Sequence, residues 1–252
     1  SNVHSLVNVL SGVASRFEGE VVDFVRTSDP DLASELARLE AGESPASRQN
    51  WLYFATRALF DGPQAERLRR ERAEFESAHG IRHVPSKGSG IDSAAQIFKL
   101  SELDPAAFDP RVGQVDGLAL KASDAAIVNI DYPLGLAAYH LLRQVATSVP
   151  WIHGVYLMGK AATLNADVGD VMIPNVVFNE HSGNTYWLDN CFSAADVQPH
   201  LVFGSALDNQ RAVTVRGTFL QNREYLEFYY RGRYTVVEME AGPYLDACYE
   251  IR

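Results

Sequence analysis

An α/β fold preceded by a helical N-terminal region is predicted for this chain, on three observations. Up to about residue 100, apolar side chains recur at three- and four-residue spacing; from about residue 124, short apolar runs alternate with a helical pattern. The 252 residues are 46% hydrophobic and 10% aromatic, enough to bury a full core.

In the first part, LVNVLSGVASRF, EVVDFV and NWLYFATRALF read as amphipathic helices, punctuated by Gly62 and Pro63. AERLRRERAEFESAHG is dense in charge, so it reads as a solvated helix with surface arginines, ended by Gly80 as a C-cap. The turn Lys87–Gly90 is either a plain connection or an anion cradle, and Asp92 or Ser93 would N-cap a short helix after it. Residues 100 to 118 read as a connector, giving a helical region over 1–115 and an α/β domain over 116–252.

In the second part, DAAIVNI reads as a strand, YPLGLAAYHLLRQVA as a helix with Pro133 near its first turn, and WIHGVYLM as another strand. That β-α-β unit implies parallel strands, with a ligand at their carboxyl ends. Asp131 serves either as N-cap of that helix or, with Tyr132, as a ligand contact. GDVMIPNVVF, LVFGSAL, RAVTVRGTFL and RYTVVEME read as further strands.

The formal charge of -10 excludes a surface built to neutralise phosphate backbones or anionic membranes, so a small ligand or a protein partner is favoured. Two cysteines, Cys191 and Cys248, support neither a disulfide framework nor a zinc site and fit a reducing cytoplasm. His140 and His153 lack a partner at metal-binding spacing, so no metal is expected, and no cofactor is. The opening SNVHSLVNVL has neither a signal-peptide nor a membrane-span pattern and reads as a tag scar or an internal start.

Three ordered segments carry a family resemblance. GVYLMGKAATLNADVGDVMIP, VRGTFLQN and VVEMEAGPYLDACYE resemble, in that order, the small-residue turn with its Gly-Asp-led strand, the base-binding strand, and the Val-Glu-Met-Glu-Ala signature of the nucleoside phosphorylase and nucleosidase superfamily. The resemblance spans about residues 120 to 252. It implies a mixed central sheet flanked by helices, a purine-type nucleoside or nucleotide as ligand, cleavage of its N-glycosidic bond, and a homo-oligomer. It further implies that Glu240 accepts hydrogen bonds from the ribose hydroxyls, that Met239 packs on the sugar, and that Phe219 faces the base with Gln221 and Asn222 at its edge. Strand alternation puts Glu238 on the same face as Glu240.

The chain also departs from the family pattern. Lys160, after Gly159, stands where a small hydroxyl residue is usual; it either binds an anionic group, fills the phosphate pocket or reaches solvent. No Gly-Asp-Pro-x-x-Arg phosphate turn occurs, which favours hydrolysis over phosphorolysis; inorganic phosphate is a partner only if phosphorolysis holds. The sequence ends at Arg252, before the Ser-Asp pair whose Asp would protonate the leaving base, so the domain reads as C-terminally incomplete or draws its acid from elsewhere. Glu180 and His181 are the internal candidates for that acid. The alternative is a nucleoside-binding protein of the same fold without catalysis. A dinucleotide-binding fold fails for want of a GxGxxG turn.

Overall fold

A computed structural model describes residues 4–44, 47–62, 65–86, 93–217 and 222–251. The fold is mixed α/β, and the chain divides into two compact units, Ser1–Asp131 and Tyr132–Arg252. Lys87 to Gly90 and Asp92, the turn and cap read from the sequence, lie outside the described residues, as do Pro63, Phe219 and Gln221.

The first unit opens with six helices, α1 (Ser5–Ser11), α2 (Val13–Arg16), α3 (Glu18–Ser28), α4 (Pro30–Glu40), α5 (Arg48–Asp61) and α6 (Glu66–Ala78). Asp29 caps α4 by accepting the Leu32 N–H at 3.0 Å, with Pro30 in the first turn, where its missing N–H costs nothing. Ser47 caps α5 in the same way through Asn50. Along α5 the buried Trp51, Leu52, Ala55, Leu59 and Phe60 follow helical spacing and join Val21, Val25 and Leu36 in one core. Gly80 follows α6 in the left-handed region at φ 73°, where a Cβ would collide with the Glu102 side chain.

One expectation for α6 is overturned. Arg72 is no surface residue: with its side chain 14% exposed, it donates Nε to Glu76 at 2.6 Å and lies over the Phe60 ring. Glu76 is only 2% exposed and also holds His83, so the carboxylate is compensated from two sides.

The unit then forms strands β1 (Ile81–Val84), β2 (Ala95–Lys99) and β3 (Ala126–Ile130), paired antiparallel in the order β1-β2-β3, with α7 (Gly117–Ala122) leading into β3. Three sequence readings are corrected here. Ser93 caps no helix, because AQIFK alternates buried Gln96 and Phe98 with more exposed residues and so takes the strand period. The β-α-β unit does not form: β3 pairs antiparallel to β2, and residues 151–158 make no strand, so His153 lies outside any strand. Asp131 caps nothing, since the next helix begins at Ala137, well beyond Pro133.

In the second unit α8 (Ala137–Ser148) is followed by β4 (Ala162–Thr163), β5 (Val171–Asn179), β6 (Thr185–Trp187), α9 (Ala194–Val197), β7 (Ala206–Thr214), α10 (Arg223–Arg231), β8 (Val236–Glu238) and α11 (Ala241–Glu250). LVFGSAL and RAVTVRGTFL, read as two strands, contribute to the single β7. The sheet runs β4-β8-β7-β5-β6; β5, β7 and β8 are parallel, while β4 and β6 are antiparallel edges.

Alternation along β7 and β8 distributes the core between two faces. Ala212 and Val236 pack with Leu245 of α11, whereas Val213 and Val237 pack with Tyr229 of α10. Helices thus flank the sheet on both sides, and the strand stretches between them, Val176–Phe178, Ala212–Val213 and Val236–Val237, are apolar.

The buried ion pair of the first unit generates a prediction. Glu76→Gln should lower the unfolding free energy by about 3 kcal/mol in urea titrations at neutral pH. Burial pushes the Glu76 carboxyl up, but the hydrogen bond from His83 and the charge of Arg72 outweigh it, so it titrates below the usual 4.5. The advantage over the variant should therefore be complete above pH 4.5 and vanish as pH falls through the folded-state value. Equal stabilities across that range would show that the pair contributes nothing.

Candidate functional site

The register brings Asn179, Thr214 and Glu238, the last residues of β5, β7 and β8, into one row across the carboxyl edge of the parallel strands. Asn179 and Thr214 are fully buried. Each polar group in this row is answered by another protein group.

Glu238 is the centre of the row. One carboxylate oxygen accepts the Thr214 hydroxyl; the other accepts the backbone N–H of Glu240 and of Ala241, each at 2.6 Å. Thr214 Oγ1 in turn accepts the Gly242 N–H at 2.8 Å. The first N–H groups of α11, which have no intrahelical acceptor, are thus satisfied from the strand ends, and the negative charge lies where the helix dipole favours it. Burial pushes the Glu238 carboxyl above its usual range, against the downward pull of the Ala241 N–H, the Thr214 hydroxyl and the Glu240 N–H.

Glu240 is different. Its Oε1 accepts the Gly135 N–H at 3.1 Å, and its other oxygen takes no hydrogen bond from the described residues. The Gly135 N–H comes from the turn before α8, where Gly135 holds φ 54°. Although alternation put the two glutamates on one face, the chain turns into α11 directly after Glu238, and only Glu240 keeps a free acceptor.

The other residues singled out from the sequence fall as follows. Glu180 and His181 follow β5 at the same carboxyl edge. Glu180 Oε2 accepts the Arg216 N–H at 3.1 Å, and its carbonyl accepts two bonds from the Arg216 guanidinium, at 2.9 and 2.6 Å. His181 Nε2 is buried without a partner among the described residues. Met239 is half-buried against Val213, Val215, Tyr229 and Val237. Asn222 caps α10, its side-chain oxygen accepting the Glu224 N–H at 2.9 Å. Gly159 and the exposed Lys160 precede β4; the antiparallel register, with Ala162 opposite Val237, puts them at the end where β8 finishes. Asp131, which ends the first unit, has a buried side-chain oxygen without a partner among the described residues, and Tyr132 is 48% exposed.

Sequence reading overlooked Thr214, Gly135, Arg216 and Asp246. Asp246 of α11 accepts hydrogen bonds from Asn179, Ser182, Asn184 and Tyr186. Gly242 admits this contact, because a Cβ there would lie 2.6 Å from that of Asn179. Its pairing with a strand-end polar residue was invisible without the β5-β7-β8 register. Two open concavities of about 260 and 360 Å³ lie elsewhere, around Asp189 with Asp208 and around Asp167 with Asp170, toward the amino ends of β5 and β7. The strand-end chemistry argues instead for the carboxyl edge. Among the described residues no cluster of three or more His, Cys, Asp or Glu is arranged to hold a metal.

The description "Family of unknown function (DUF6909)" attaches to the family model that matches residues 1–252. The chain belongs to the DUF6909 family. Comparison with curated proteins and with solved structures finds no match. For this DUF6909 chain the chemistry must therefore be argued from the site: one carboxylate consumed in building it, and a second that still accepts.

The first of these carboxylates gives the next prediction. Thr214→Val should cost about 2 kcal/mol of unfolding free energy, because it leaves the Gly242 N–H and one Glu238 oxygen unpaired, while Thr214→Ser should recover most of it. Equal urea midpoints for the valine and wild-type proteins would refute the bridging role.

Proposed function

We propose that the carboxyl edge of the second unit binds a purine-type nucleoside or nucleotide and cleaves its N-glycosidic bond, with water as the acceptor. The observation that carries this reading is the division of labour between Glu238 and Glu240. Glu238 is committed to the protein, whereas Glu240 is oriented by the Gly135 N–H and offers its second oxygen. A carboxylate is acceptor-only, and a vicinal diol supplies the donors it lacks. As the bond to the base breaks, the sugar gains oxocarbenium character, and a negative charge at its hydroxyls stabilises that change.

Glu180 and His181, at the same edge, are the groups within this unit suited to deliver a proton to the leaving base. Hydrolysis is favoured over phosphorolysis because no Gly-Asp-Pro-x-x-Arg phosphate turn occurs and Nε and Nη2 of the Arg216 guanidinium already donate to the Glu180 carbonyl. Lys160 is a further cation at this end, suited to an anionic substituent on the ligand.

A second reading, nucleoside binding without cleavage, has its own support. The Glu180 carboxylate is held by the Arg216 N–H, and Asn222 is occupied as a helix cap.

One experiment separates these. Chromatography should detect base released from purine nucleosides or their 5′-phosphates, at equal rates with and without inorganic phosphate. Glu240→Gln should reduce kcat/KM by about 10- to 100-fold with the fold intact by circular dichroism. Phosphate-dependent release would make the reaction phosphorolysis, and binding without release would favour the second reading. Neither binding nor release, or a Glu240→Gln variant with unchanged kinetics, would overturn the proposal.

A further inference from the structure

The structure assigns to Asp246, a residue outside the sugar clamp, the role of positioning residue: it sets the β5-β6 loop that carries Glu180 and His181 against the helix that carries Glu240. Its carboxylate accepts Asn179 Nδ2 at 2.8 Å, Ser182 Oγ at 3.1 Å, Asn184 Nδ2 at 3.5 Å and the Tyr186 hydroxyl. Four donors from one hairpin converge on a single acceptor-only group, Ser182, Asn184 and Tyr186 at Oδ1 and Asn179 at Oδ2.

The grip reaches the loop backbone. Asn179 Oδ1 accepts the His181 N–H at 3.0 Å, while the Asn179 carbonyl accepts the Gly183 N–H at 2.8 Å and its N–H donates to Asn184. Because Asn179 donates to Asp246 through the other end of its amide, moving Asp246 moves the backbone at His181. On the far side the Arg216 guanidinium holds the carbonyls of Glu180 and His181, the latter at 3.4 Å. The loop is therefore clasped between α11 and the end of β7, and Asp246 is the charged member on the α11 side.

α11 also begins with the Glu238-capped turn that bears Glu240. One short helix thus fixes the sugar clamp by its first turn and the Glu180–His181 loop by Asp246. A catalytic pair must be held to within a fraction of an ångström, so loosening one end should slow a chemical step while leaving the grip on the sugar in place. The kinetic part of this inference rests on the nucleoside reading; the structural part does not.

The test uses the full chain. Hydrogen exchange over residues 179–186 should rise at least about tenfold in Asp246→Asn, whose amide presents N–H groups to donors, while β7 and β8 exchange as in wild type. With the best nucleoside of the base-release panel, kcat should fall about tenfold and KM change by less than about twofold. Should Asp246→Asn fail to fold, the double variant Ser182→Ala with Tyr186→Phe removes two of the donors and carries the same comparison. Unchanged exchange in the loop, or exchange raised equally through β5, β7 and β8, would overturn the assignment. A rise in KM with kcat preserved would contradict the kinetic part. If the wild-type chain neither binds nor cleaves a nucleoside, the reading of the site falls, and the exchange measurement alone still decides what Asp246 does.

Discussion

The second unit depends on one half-buried carboxylate. Glu238 ends β8 in a place where an uncompensated charge would cost several kcal/mol, and it is tolerated because the Thr214 hydroxyl and two backbone N–H groups converge on it. The same bonds cap α11. Strand, neighbouring strand and helix are therefore tied at one point, and the direction in which α11 leaves the sheet follows from that tie. Glu240 is then displayed by geometry already fixed, which is the economy of building a site on rigid elements.

How much of this the sequence reveals depends on the range of the interaction. The helices read in the first unit were legible because their periodicity is local: the spacing of Trp51 to Phe60 spans only a few turns. Val171–Asn179 was legible as a strand because it is apolar and introduced by a Gly-Asp turn. The failures were long-range. AIVNI and WIHGVYLM carry strand-forming residues, yet β3 found an antiparallel neighbour in β2, and residues 151–158 found none within a sheet; no local pattern distinguishes these outcomes. Arg72 looked like a surface charge because its partner's burial depends on packing, not on the density of charge along α6.

The candidate site shows the same limit. Glu238, Met239 and Glu240 could be singled out from sequence, but the different bonding of the two glutamates could not, because it depends on Thr214 lying opposite Glu238 and on Gly135 lying beside Glu240. Asn179 and Asp246 are 67 residues apart and meet only through the packing of α11 on β5. The acidic character of the chain, legible at once, bears on the open concavities too. Those around Asp189 and Asp208, and around Asp167 and Asp170, have carboxylates in their walls, and Asp170 and Asp208 already accept backbone N–H groups. Chemistry and shape thus point to opposite ends of one sheet.

The direct test of the central claim is a crystal structure of the full chain grown with a purine nucleoside. The account predicts the ribose 2′ and 3′ hydroxyl oxygens within hydrogen-bonding distance of Glu240, with Glu238 still bonded to Thr214 and the start of α11. A nucleoside seated instead among Asp189, Asn190 and Asp208, or one whose hydroxyls are held by Glu238 while Glu240 points away, would contradict it.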